Sequence, residues 1–146
     1  MMKRVFRFTD QLDSNQPFRF MHLLIVEDHS DTREILKFVL ERAGARVTAV
    51  DSTESALREL AAEDPIDALI TDIGLPGADG YALFKSVKEH SEQRGVKVPV
   101  IAVTAYATPS DQERALELGF DAYLAKPIDP ADLIRAIAIT TTSRAA

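Results

Sequence analysis

Glu27 and Asp28, a third carboxylate at Asp72, the hydroxyl of Thr104 and the amine of Lys126 are the side chains whose types could do chemistry together. Brought to one place, the three carboxylates repel. Two unit charges about 4 Å apart cost on the order of 4 kcal/mol at an effective dielectric of about 20. Lys126 offsets one negative charge, and a divalent cation balances the other two. An all-oxygen donor set without a His or Cys cluster favours Mg2+, which keeps several waters and takes phosphate oxygens as ligands. A cation and an ammonium group beside a carboxylate are the parts needed to neutralise a transferring phosphoryl group and to present a nucleophile to it.

The elements between these residues decide whether they meet. Residues 23–26, 68–71, 98–103 and 122–125 are short apolar runs that end at Glu27-Asp28, Asp72, Thr104 and Lys126-Pro127, and Arg46–Val50 reads as a further strand. Helical spacing fills the gaps. Ile35, Leu36, Val39, Leu40 and Ala43 mark one helix face, with Asp31 and Glu34 as a capping box and Gly44 as the stop. Ser52 caps a helix through Ala56, Leu57 and Leu60 that Pro65 ends, and another runs through Leu83, Phe84 and Val87. Thr108-Pro109 and Asp129-Pro130 each supply a cap followed by a first-turn proline, ahead of Ala115 and Leu118 and of Leu133, Ile134 and Ile137. Continuously apolar strands alternating with helices predict an α/β fold, a doubly wound five-stranded parallel sheet with helices on both faces. Ligands of such sheets bind at the carboxyl ends of the strands, where all four polar features fall.

Composition narrows the function classes. With 46 % hydrophobic and 27 % charged residues the 146-residue chain reads as one folded domain, and no apolar run approaches a membrane span. A net charge of −6 speaks against a nucleic-acid or anionic-membrane surface. Without cysteine there is neither disulfide nor thiol nucleophile, as suits a reducing cytosol. No G-x-G-x-x-G or P-loop signals a nucleotide site, and the "ADG" at 78–80 reads as a helix start. His22, His29 and His90 show no metal-ligand spacing and read as surface or packing residues.

Glu27-Asp28 after an apolar strand, Asp72 in "LITDIGLPGADG", Thr104-Ala105 after "VPVIAV" and Lys126-Pro127 in "DAYLAKP" together resemble the receiver domains of two-component response regulators. Alone, each has a commonplace reading: solvated acids, turn chemistry, a β-branched strand residue, a surface lysine. The bland account needs four coincidences at one sheet edge. The resemblance covers about residues 22–139 and implies a flavodoxin-like strand order 2-1-3-4-5, with Asp72 as phosphoacceptor. It further implies Mg2+ on Asp28, Asp72 and the Gly74 carbonyl, with Glu27 acting through a water. Lys126, Thr104 and Ala105 would meet the phosphoryl oxygens, Thr104 and Tyr123 would form a switch, and Pro127 would follow a cis bond. Gly74 lacks the side chain many relatives carry there and Tyr106 is bulky beside the site, both of which bear on phosphoryl lifetime.

The expected partner is a histidine kinase or a histidine phosphotransfer protein in the cytoplasm, with no nucleic acid or membrane, and a homodimer is allowed. A haloacid-dehalogenase-type phosphohydrolase would need a second Asp two residues after the nucleophile, where this chain has Gly74. A degenerate receiver serving only as an interaction module would not need the intact acid pair, Asp72 and Lys126. The expected boundaries are a polar extension over 1–20 (with Met21 as an alternative start), a receiver over 21–140 and a tail over 141–146. No output domain follows, so the expectation is a stand-alone regulator or a receiver cut from a larger protein such as a hybrid kinase.

Overall fold

Among the described residues five strands and five helices alternate, β1 (His22–Val26), α1 (Ser30–Arg42), β2 (Arg46–Val50), α2 (Thr53–Ala61), β3 (Ala68–Asp72), α3 (Gly80–Arg94), β4 (Val100–Thr104), α4 (Pro109–Leu118), β5 (Ala122–Ala125) and α5 (Pro130–Arg144). The computed structural model describes residues 16–62, 64–73, 80–105 and 108–144. The expected loop at 74–77, Tyr106, residues 78–79 of the "ADG" and most of the N-terminal extension lie outside them. All strand pairs are parallel, in the order β2-β1-β3-β4-β5.

Strands β1, β3 and β4 are buried along their whole length, which accounts for their uninterrupted apolar runs. Successive residues face opposite sides and feed two cores. On one side Leu24, Val26, Leu69, Val100 and Ala102 meet Ala56 and Leu60 of α2, Leu83, Phe84 and Val87 of α3, and Ala115 of α4. On the other, Leu23, Ile25, Ala68, Ile70, Ile101 and Val103 meet Leu36 and Leu40 of α1 and Leu133 and Ile137 of α5. The helices therefore cover both faces, as a doubly wound sheet requires.

Several helix ends follow the sequence. Ser52 accepts a hydrogen bond from the Ser55 N–H (3.2 Å) and caps α2, and Thr108 does the same for Asp111 N–H (3.1 Å) ahead of Pro109. Asp129 Oδ1 accepts from Ala131 N–H at the start of α5. Replacing Ser52 by Ala should cost about 1 kcal/mol, the usual worth of such a cap, measured as a lower urea midpoint at unchanged m-value.

Others differ. Helix α1 starts at Ser30 with His29 as N-cap and no side-chain cap, so Asp31 and Glu34 do not form the expected box; Asp31 instead lies in the first turn, where its charge suits the helix dipole. Ile35 is exposed, because the buried stripe runs through Leu36, Leu40 and Ala43 and Ile35 lies off its edge. Leu57 and Leu118 are likewise exposed. Helix α2 stops at Ala61, ahead of Pro65, whose carbonyl instead accepts from His22 Nδ1. Residues ahead of β1 also pack on the domain: Phe18 is 1 % exposed within the α1/α5-side core, and its N–H bonds to the Ala43 carbonyl. Gly44, at φ +100°, accommodates this strap, since a Cβ there would come within 2.7 Å of Gln16 Cβ.

Candidate functional site

The sheet order puts β1, β3 and β5 carboxyl ends around one cleft, with β3 central between β1 and β4. Glu27 continues β1 by one residue, its N–H bonding to the Val50 carbonyl at 3.0 Å. Asp72 is the last residue of β3, and Lys126 follows β5, held by its N–H to the Thr104 carbonyl at 2.9 Å. The Lys126–Pro127 peptide bond is cis.

Lys126 Nζ donates to Asp72 Oδ2 at 2.7 Å and to Glu27 Oε1 at 2.5 Å, tying together residues 99 apart in sequence. Glu27 is only 2 % exposed and Asp72 8 %, so these charges are largely withdrawn from water. Burial above all pushes the Glu27 carboxyl above its ordinary range; the bond from Lys126 pulls it down, and the neighbouring Asp72 pushes it up again. For Lys126 burial alone would lower the pKa, but its bonds to Asp72 and Glu27 outweigh that and raise it. One ammonium is thus shared by two buried carboxylates.

A cation fits beside them. One ligand atom each from Glu27, Asp28, His29 and Asp72 lie within 4.8 Å of one another. Glu27 Oε2 is buried and has no hydrogen-bond partner among the described residues, a costly state for an acceptor unless an ion or an ion-bound water meets it. Asp28 offers its carboxylate from the more open side.

The acid pair is held by a residue the sequence reading passed over. Arg33 Nη1 donates to the Glu27 carbonyl at 2.9 Å, with a longer reach to the Asp28 carbonyl, and so fixes the β1–α1 turn from the first turns of α1. His29, expected to be a bystander, instead puts Nδ1 3.2 Å from Asp28 Oδ1 and 3.8 Å from Glu27 Oε1. Its position right after the acid pair was the only signal for it. His22 is a packing residue as expected, its ring between the Pro65 carbonyl and Thr48 Oγ1.

The family model for the response regulator receiver domain matches residues 23–138. The chain belongs to this family. It is 39 % identical over 114 residues to the two-component response regulator ORR11 of Oryza sativa, covering 78 % of this chain and 76 % of that protein. A putative response regulator from Chloroflexus aurantiacus has a TM-score of 0.74 at 37 % identity, covering 84 % of this chain and 98 % of that one. The receiver domain of sensor histidine kinase PA1611 from Pseudomonas aeruginosa PAO1, solved with a magnesium ion coordinated in its active-site cleft, has a TM-score of 0.73 at 33 % identity over 84 % of this chain and 98 % of that one. The family is one of signalling domains. No helix among the described residues is long and apolar enough to cross a membrane.

In this receiver the other residues expected at the site lie on or beside the neighbouring strands. Thr104 is fully buried at the end of β4, in register with Ala125, and Ala105 beyond it is exposed. Tyr123 is half-buried, in register with Ala102, and packs against the core on the α2/α3/α4 side. Strand alternation gives Thr104 the same side as Ala102 and Tyr123, whereas Glu27, Asp72 and Lys126 continue the alternation of the opposite side. Gly74 lies outside the described residues.

Proposed function

We propose that Asp72 is the phosphoacceptor of this receiver and takes its phosphoryl group from the phosphohistidine of a histidine kinase or histidine phosphotransfer protein in the cytoplasm. What supports this most directly is the half-buried Lys126 ammonium 2.7 Å from Asp72 Oδ2, beside Glu27 Oε2, which has no hydrogen-bond partner among the described residues. Mg2+ would be held by Asp28, Asp72 and the Gly74 carbonyl, with Glu27 acting through a water; when bound, it draws charge from the transferring oxygens. The carboxylate oxygens of Glu27, Asp28 and Asp72 suit it, and the magnesium in the PA1611 receiver cleft supports the same choice.

Asp72 supplies a carboxylate oxygen to phosphorus, and the donor imidazole leaves. Lys126 then transfers its hydrogen bond from the Asp72 carboxylate to a phosphoryl oxygen, keeping its bond to Glu27. The Ala105 backbone and the Thr104 hydroxyl meet the other oxygens. Slow hydrolysis by water returns the free carboxylate, so the chemistry resets a signal rather than turning over a substrate.

Thr104 connects this chemistry to an output. Its hydroxyl turns toward the new acceptor oxygens, and the Tyr123 ring, on the same side of the sheet, moves into the space it leaves. The face formed by α4, β5 and α5 changes shape, and a downstream protein binds it by population shift.

Titration with Mg2+ and beryllofluoride, a mimic of the aspartyl phosphoryl group, tests both parts. Amide resonances of Asp28, Asp72, Thr104 and Lys126 should shift, and the Tyr123 ring signals should move with them. No shifts at millimolar Mg2+ would remove the site; a full set of site shifts with Tyr123 stationary would remove the switch.

A further inference from the structure

We infer that His29 is a further metal ligand of the acidic cleft, which makes it a mixed nitrogen–oxygen site with a raised affinity for divalent first-row transition ions. The inference rests on the reading of that cleft as a cation site and adds a donor and a class of ion to it. An ion with bonds of about 2.1 Å spaces adjacent ligands roughly 3 Å apart and opposite ones roughly 4 Å apart. His29 Nδ1 lies 3.2 Å from Asp28 Oδ1 and 3.8 Å from Glu27 Oε1, and the ligand atoms of all four residues fall within 4.8 Å of one another. The two His29 distances are those of ligands around one ion, while the 4.8 Å that bounds the whole set exceeds the span across such an ion, so the exposed ring closes in when the ion binds.

The ring is also available. His29 is the N-cap of α1 through its backbone, but its side chain makes no cap bond. Its side chain is 71 % exposed, so it can adjust onto an ion without unpacking any neighbour. A bare His–Asp contact at this exposure contributes little, since water and salt screen it. It would also leave Glu27 Oε2, buried and unpartnered in the same cluster, without a counterpart. An ion shared by the imidazole and the carboxylates accounts for both.

The donor types set the preference. Mg2+ takes oxygen ligands and gains little from an imidazole, whereas affinity for mixed N/O sites rises from Mn2+ through Co2+ and Ni2+. His29 should therefore strengthen transition-ion binding far more than Mg2+ binding.

Calorimetric titration of the full chain with MgCl2 and separately with CoCl2, for the wild type, His29→Ala and His29→Asn, tests this. Wild-type protein should bind Co2+ more tightly than Mg2+, and both variants should lose about tenfold in Co2+ affinity but less than threefold in Mg2+ affinity. The Co2+ form should also show a hyperfine-shifted, exchangeable imidazole N–H resonance that is missing from His29→Ala. An equal loss for both ions, an unchanged Co2+ affinity, or a shifted resonance that persists in His29→Ala overturns the assignment while leaving the Mg2+ site standing. Absence of Mg2+ and Co2+ binding in the wild type overturns the cation site itself, and the inference with it.

Discussion

Asp72→Asn should reduce labelling by acetyl phosphate from a readily detected, hydroxylamine-sensitive acyl phosphate to background, with the fold intact. Asp72 ends the central strand β3, and its Oδ2 already meets the group that would bind the transferred phosphoryl oxygens, Lys126 Nζ at 2.7 Å. The amide of Asn is nearly the same shape but has no anionic oxygen to attack phosphorus. Stability should hold or rise. Asp72 is one of the groups that push the Glu27 carboxyl upward, so removing its charge relieves a repulsion, and the Asn oxygen still accepts from Lys126. A melting temperature at or above that of the wild type, together with loss of label, would fix the acceptor. Label retained in the variant on Glu27, Asp28 or any other residue would move it.

What the sequence made legible follows from where its constraints are strongest. Strands β1, β3 and β4 are buried on both faces, so nearly every side chain must be apolar until the chain reaches the sheet edge. The first polar residue after each run therefore marks the strand end, and Glu27, Asp72 and Thr104 could be placed at one edge from spacing alone. Helix faces are less constrained. Ile35 carries the right chemistry for the α1 core stripe but lies off its edge, because an apolar residue at a helix margin costs little when exposed. Phe18 was missed for the opposite reason: its neighbours Arg19 and Phe20 are exposed, so no period announces the one ring that packs. Arg33 acts through backbone carbonyls of Glu27 and Asp28, which have no sequence signature. His29 needed the actual turn out of β1 to bring its ring back over the acids.

Lys126→Met should destabilise the Mg2+-free protein by about 2–4 kcal/mol at neutral pH, because it keeps the aliphatic stem but strips two withdrawn carboxylates of their cation. Glu27 and Asp72 side chains are 2 % and 10 % exposed, and Lys126 at 18 % leaves the pair partly open to water, so the loss should fall below that of a fully buried pair. The pH dependence identifies the cause. The folded-state pKa of Lys126 is raised, so its contribution is fully present below the unfolded value of 10.5 and is lost as pH climbs through the folded one. The Glu27 carboxyl is also raised, above 4.5, so the native state binds the extra proton and this group lowers stability as pH rises through the carboxylate range. Without Lys126 that burden grows. The wild-type and variant stability curves should therefore meet at low pH, where the carboxyls are protonated, separate across neutrality, and approach again as pH climbs from 10.5 through the raised folded value, where the ammonium loses its proton. Millimolar Mg2+ should restore part of the variant's loss by taking over the neutralising role. Urea denaturation across pH, with and without Mg2+, measures all of this. A stability difference that stays constant with pH would mean that Lys126 acts by packing, and would remove the shared ammonium as the reason the cleft can hold its carboxylates together.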